Sequence, residues 1–166
     1  MHSLQKITPC LWFDGRAEEA AEYYVSIFRN AKLCQISRYP EAGKEHHGQE
    51  PGTAMTVVVE LDGQRFTLMN GGPMFQFSPA VSFQINCESQ DEIDYFWDRL
   101  SDGGAPEAQN CGWLADKFGL SWQVVPTILP SMITDPDPEK CNRVMSALLQ
   151  MKKLDIGGLK KAYAGP

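Results

Sequence analysis

"SQDEIDYFWDRL", residues 89–100, is a helix whose start is written into its first four residues. Ser89 at the cap and Glu92 three positions later form a capping-box pair, and Ile93, Phe96, Trp97 and Leu100 then recur at i, i+3, i+4 and i+7. Its weight in deciding the fold comes from an earlier stretch that it repeats. "RAEEAAEYYVSIFRN", residues 16–30, puts Ala20, Tyr24, Ile27 and Phe28 on one face, with acids in the first turns where the helix dipole favours them. A shift of 73 residues lays Ala20 on Ile93, Tyr23 on Phe96, Tyr24 on Trp97 and Ile27 on Leu100. Two helices that match face for face point to an internal duplication.

Working outward, the same order of elements surrounds each helix. Before the first lies "ITPCLWFDG" (7–15), a strand closing on a polar turn; after it come strands at "KLCQISRY" (32–39) and "AMTVVVEL" (54–61). Asp62-Gly63 joins the last of these to "QRFTLMN" (64–70) as a tight hairpin. This is a βαβββ unit. In the second half "AVSFQINC" (80–87) precedes the helix, a weak strand is expected near "APEAQN" (105–110), and "CGWLADKFGLSWQVVP" (111–126) reads as a hairpin turning at "DKFG". A shift of 56 pairs Gly63 with Gly119, Phe66 with Trp122 and Thr67 with Gln123. The expected fold class is therefore α+β: tandem βαβββ modules at 7–70 and 80–126, mostly antiparallel, with a helical tail at 127–166, all in a single domain 1–166. In the tail, Asp137 caps a helix with Pro138 at its first position and Cys141, Val144, Met145 and Leu148 along one face. A short helix from Asp155, weakened by Gly157 and Gly158, follows.

Composition removes several classes of function. The 166 residues suffice to bury about two thirds of the unfolded surface without disulfides. A formal charge of −6 without a Lys/Arg cluster argues against nucleic acid as partner. Apolar runs fall short of spanning length and "MHSLQKITPC" lacks the apolar core of a secretory signal, so a cytoplasmic protein that does not enter a membrane is expected. Cys10, Cys34, Cys87, Cys111 and Cys141 are odd in number and contain no C-x-x-C pair, which reads as buried structural thiols in a reducing compartment. His2, His46 and His47 lie near the terminus or in the long loop "YPEAGKEHHGQEPGT" (39–53), a solvated connection or a lid.

The strands alternate in polarity. Ser82, Gln84 and Asn86 share one parity of their strand against Val81, Phe83, Ile85 and Cys87; Ser121 and Gln123 alternate with Leu120, Trp122 and Val124. Packing the apolar parity under the helices leaves the polar parity on the other face. Gln123 is then either a hydrogen-bonding group offered to a ligand or a side chain that satisfies its neighbours or ordered water. "NGGP" (70–73) reads as a turn, since neither the G-x-G-x-x-G spacing nor a following helix accompanies it.

"ITPCLWFDGRAEEAAEYYVSIF", "FTLMNGGP", "SFQINCESQDEIDYFWDRLSDGG", "CGWLADKFGLSWQVVPT" and "DPDPEKCNRVMSALLQMKKLDI" together resemble the vicinal oxygen chelate superfamily of glyoxalases, bleomycin-resistance proteins and extradiol dioxygenases. Within it they look like the PhnB-like group, whose members often carry the label 3-demethylubiquinone-9 3-methyltransferase domain. The resemblance spans residues 7–156. It implies strands curled around a cavity, a homodimer, and, in metal-dependent members, His, Glu or Gln ligands on the first and last strands of each unit. The matching positions here are Pro9, Thr67, Ser82 and Gln123, to within one residue on the first three strands, and none is an imidazole or a carboxylate. No metal and no cofactor are therefore expected. The expected function is binding of a small molecule, with Trp12, Thr67, Ser82, Gln84, Trp113 and Gln123 as contact residues. The alternatives are an enzyme of the superfamily (lyase, isomerase, dioxygenase or group transfer) or a methyltransferase, although the glycine-rich turn of a Rossmann-like S-adenosylmethionine domain is missing.

Overall fold

The structure, a computed structural model, describes residues 5–166, so that His2 lies outside the described residues. The chain divides into two compact units, Met1–Gln76 and Phe77–Pro166.

The first unit is β1 (Cys10–Phe13), α1 (Ala17–Ile27), β2 (Ala31–Arg38), the short helix α2 (Lys44–His47), β3 (Ala54–Leu61) and β4 (Gln64–Asn70). These strands form one open sheet in the order β1-β4-β3-β2, with β1 parallel to β4 and the other pairs antiparallel. The Asp62-Gly63 turn has φ of 49° and 83°, positive at both central positions as a type I′ hairpin requires. α1 buries Ala17, Ala20, Ala21, Tyr24 and Ile27, packing on a sheet face that buries Val57, Val59, Phe66 and Leu68. Arg16 supplies no side-chain cap to α1. The cap comes from across the sheet, where the buried Asn70 accepts from the Ala17 N–H through Oδ1 at 2.9 Å and donates through Nδ2 to the Ala54 carbonyl at 2.9 Å. The Tyr39 hydroxyl donates to the Asn70 carbonyl, tying the end of β2 to the same point.

The second unit holds β5 (Ser82–Cys87), α3 (Gln90–Ser101), β6 (Trp113–Ala115) and β7 (Ser121–Pro126), followed by α4 (Leu129–Ile133), α5 (Pro138–Leu148) and α6 (Ile156–Ala164). Its open sheet runs β5-β7-β6, with β5 parallel to β7 and β6 antiparallel to it. Ser89 caps α3 by accepting from the Glu92 N–H at 3.3 Å, while the Glu92 carboxylate accepts from the N–H of Glu88, one residue before the usual partner of a capping box. Ile93, Trp97 and Leu100 are buried, the counterparts of Ala20, Tyr24 and Ile27 at the expected shift.

The strand expected near "APEAQN" is absent: Pro106–Ala108 forms a 3₁₀ turn. Pro106 has no N–H to give to a ladder. Gly104 meanwhile passes so close to β6 that a Cβ on it would lie 2.0 Å from the Ala115 carbonyl oxygen. The second unit therefore has three strands where the first has four. Val81, expected beneath the helix, is 63% exposed because β5 begins one residue later.

In the tail, the Asp137 and Asp155 caps of α5 and α6 form as expected, and α4 is an additional short helix. Leu129, Met132, Val144, Leu154 and Leu159 make a small core of their own, against which Val125 of β7 packs. Cys111 and Gly112 donate backbone N–H bonds to the Met151 and Lys152 carbonyls, and Gln90 of α3 bonds both the Leu154 carbonyl and the Ile156 N–H. The tail is thereby fixed to the sheet that precedes it.

Candidate functional site

Each sheet has one face under α1 or α3, and alternation along the strands places the candidate residues on the opposite face, which in the second unit meets the tail core at its Val125 end. In the second unit the register sets Gln84 opposite Gln123, and Gln123 opposite Trp113, in one row across the sheet. Ser82, Ser121 and Ala115 form the adjacent row. Four of the six expected contact residues, Ser82, Gln84, Trp113 and Gln123, thus share one surface.

Their polar atoms form a chain. Gln123 donates through Nε2 to the Ser82 hydroxyl oxygen at 2.9 Å, and Gln84 donates through Nε2 to Gln123 Oε1 at 3.2 Å. Both amides are therefore oriented, the Ser82 O–H is left as a donor, and Gln84 Oε1 is left as an acceptor. The chain can hydrogen-bond a neutral polar group without gaining or losing a proton.

Trp12 and Thr67 lie on the helix-free face of the first unit. There Trp12, Met69, Thr56 and Ser37 make one row, and Cys10, Thr67, Val58 and Gln35 the next. Trp12 is fixed at both ends: its indole N–H donates to the Gly72 carbonyl at 2.8 Å, and its ring presses on Gly71, where a Cβ would come within 2.2 Å of it. Phe75 meets it edge-on, with ring centroids 5.0 Å apart. The register also moves the first-strand position by one residue, since the partner of Thr67 is Cys10 rather than Pro9. In the second unit the equivalent partner of Gln123 is Gln84.

The metal expected of many proteins with this architecture can be tested against these positions. In the first unit Cys10 and Thr67 offer a thiol and a hydroxyl; in the second Gln84 and Gln123 offer two amides, and both Gln123 amide atoms are already engaged by Ser82 and Gln84. Burial pushes the Cys10 thiol above its ordinary range, away from the thiolate a metal needs. Neither pair of donors fits a divalent ion. Among the described residues no group of three or more His, Cys, Asp or Glu could hold one.

The five cysteines are free, and only Cys87 is fully buried. Burial, with a smaller contribution from the Glu92 carboxylate, pushes its thiol up to about 12, which makes it inert at neutral pH. His47 belongs to the long loop, where its Nδ1 accepts the Gln49 N–H at 3.0 Å, its ring lies 4.6 Å from that of Tyr39, and its enclosed Nε2 has no hydrogen-bond partner. His46 is exposed beside Glu45. Neither histidine is on a strand.

Several residues escaped the sequence reading. Met69 and Cys10 share a face with Thr67 and were marked only by parity. Lys32, Glu60 and Arg65 converge at the far end of that face, with Lys32 Nζ and Arg65 Nε at 3.1 and 3.4 Å from the Glu60 carboxylate. In the second unit, Asp116 does more than make the "DKFG" turn. Its buried carboxylate accepts from the Phe118 and Leu120 N–H groups and from the Trp122 indole at 2.8, 3.1 and 2.9 Å.

Two small mixed open sheets, each with a helix packed on one face, are the architecture of the glyoxalase-like, vicinal oxygen chelate fold. The 3-demethylubiquinone-9 3-methyltransferase family model matches residues 5–125. The chain belongs to that family, in the PhnB-like group of the superfamily. A PhnB protein from Bacillus cereus is 37% identical, over 74% of this chain and 100% of that one, with a TM-score of 0.63. A protein from Pseudomonas aeruginosa is 22% identical over 75% and 98% of the two chains (TM-score 0.56). A genomically encoded fosfomycin resistance protein, FosX, from Listeria monocytogenes is 13% identical over 79% and 97% (TM-score 0.51). The last two share the fold alone. Comparison with curated proteins gave no match.

Proposed function

We propose that this protein binds a small organic molecule on the sheet faces opposite α1 and α3, without the metal used by many proteins of its fold. The observation that carries this reading is the Ser82–Gln123–Gln84 chain: at the position where a metal ligand would be needed, both Gln123 amide atoms are taken up by neutral side chains, and the chain offers the Ser82 O–H as donor and Gln84 Oε1 as acceptor at its ends. Trp113 in the same row supplies an aromatic surface beside it. Catalysis by this surface would have to proceed through hydrogen bonding alone, since no imidazole, carboxylate or low-pKa thiol stands in either row of the second face.

The family description and the name of the PhnB relative are those of a methyltransferase, a reaction whose usual donor is the nucleotide S-adenosylmethionine. The β1–α1 and β5–α3 connections are Asp14-Gly15-Arg16 and Glu88-Ser89, and neither is the glycine-rich turn that receives such a nucleotide. We also propose a cytoplasmic homodimer. Five free thiols fit a reducing compartment, and Met145 of α5 and Leu149 at its C-cap leave apolar surface. No described helix is long and apolar enough to cross a membrane.

Native mass spectrometry of freshly purified protein tests these readings together. The expected spectrum shows twice the 18.6 kDa chain mass, a retained organic molecule and no stoichiometric metal, unchanged by added S-adenosylmethionine. A metal-loaded chain with no organic ligand, or stoichiometric uptake of S-adenosylmethionine, would overturn the metal-free binding reading in favour of an enzyme. A spectrum of bare chain mass alone would remove the dimer.

A further inference from the structure

We infer that the helix-free face of the first unit takes a small molecule with an apolar ring at one end and a single acidic group at the other. The inference rests on the small-molecule reading above and adds the chemical class of the ligand. At one end of the face Trp12 is held by Gly71 and Gly72, Phe75 stands edge-on to it, and Met69 is its neighbour across β4. An aromatic corner already fixed in place loses little freedom when a ring settles on it.

At the other end the register sets Glu60 opposite both Arg65 and Lys32. Two cations surround one carboxylate, and the net charge of the cluster is positive. Arg65 engages Glu60 only through Nε, and among the described residues its two terminal nitrogens have no hydrogen-bond partner. That is the edge of a guanidinium that pairs in bidentate fashion with a carboxylate or a similar oxyanion. Lys32 and Arg65 are 59% and 51% exposed against 20% for Glu60, so the cations project beyond the acid they share. The rows between the two ends contain Cys10, Thr67 and Val58 and no charge. Met69 and Arg65 are four residues apart on one strand, which sets the span at about 13 Å.

The test uses the full chain with 8-phenyloctanoate and its neutral counterpart 8-phenyloctanamide, followed by calorimetry and by the Trp12 indole N–H resonance. The acid is expected to bind at least about fivefold more tightly than the amide, with the advantage shrinking at high salt. Arg65→Gln should bring the acid down to the level of the amide and leave the amide unchanged. Glu60→Gln, which removes the competing carboxylate, should tighten the acid alone. Arg65 is exposed, and Gln is close to Glu in size and can still accept from Lys32 and Arg65, so folding should survive each change. Equal binding of acid and amide, or an acid preference that persists in Arg65→Gln, overturns the acidic end. Absence of any Trp12 response overturns the inference as a whole. A retained molecule in the mass spectrum beside either negative result would show that the binding reading stands and only this assignment of ligand class has failed.

Discussion

Gln123 shows how far a single residue can be read. Alternation in "LSWQVV" assigned it to the polar face, and its partners on that face follow from strand register, which the sequence does not state. Asp116 shows the opposite case. The sequence marks it as a turn former, yet its carboxylate takes three hydrogen bonds, one from an indole six residues away, and only the fold brings those donors together. The orientation of Gln123 leads to a prediction. In Gln123→Glu one carboxylate oxygen can still accept from Gln84 while the Ser82 hydroxyl turns to donate to the other, so the loss of stability should stay within about 1 kcal/mol, set by partial desolvation of the new charge. Zinc should not rescue it. A bound metal at a hundred times its dissociation constant adds about 2.7 kcal/mol, so a melting curve with excess zinc would reveal a site at once. A rise in melting temperature specific to the variant would mean that the neutral neighbours are better donors than their chemistry indicates.

At the level of elements, the longer helices were legible because apolar periodicity and most of their caps are local, whereas α2 and α4, of four and five residues and without side-chain caps, were not. Nor was the absence of a strand at "APEAQN", since the 3₁₀ turn at Pro106–Ala108 and the close approach of Gly104 to β6 are shown only by the fold. The tail gives the element prediction. α6 is joined to the α4–α5 connection by the Tyr163 hydroxyl donating to the Asp135 carboxylate, with Lys140 nearby at 3.8 Å. The Tyr163 hydrogen bond, then the Asp137 N–H and the Lys140 charge, hold the Asp135 carboxyl below its ordinary range. A carboxyl lowered in the folded state contributes stability above its unfolded value of about 3.9 and loses it as pH falls through the folded value. The melting temperature should therefore fall less steeply below about pH 4 in Tyr163→Phe than in the unmodified protein. Parallel acid limbs in the two proteins would show that this contact does not stabilise the tail.

For the whole molecule, duplication explains the pairing of buried helix residues but also where the halves diverge. The β1–α1 connection has one residue more than β5–α3, which is why helices align at a shift of 73 while Cys10 and Gln84 align at 74. That extra residue is not visible in the family pattern, which places the first-strand position at Pro9, whereas the register places it at Cys10. The same divergence left the two modules with different ways of starting their helices. Ser89 closes the end of α3 within three residues, whereas the end of α1 waits for Asn70, 53 residues away in sequence. In kinetic terms, one contact is available to a chain that has formed only a single helical turn, and the other only after a long loop has closed. Ser89→Ala should accordingly slow refolding, and Asn70→Ala, which strands the buried Ala17 N–H at a cost of about 1–3 kcal/mol, should chiefly speed unfolding. Stopped-flow chevrons would separate the two limbs, and a refolding rate that falls for Asn70→Ala but not for Ser89→Ala would reverse the order. Two halves of common origin would then reach the native state by distinct routes, the second half beginning from a local signal and the first completing only when its last strand is in place.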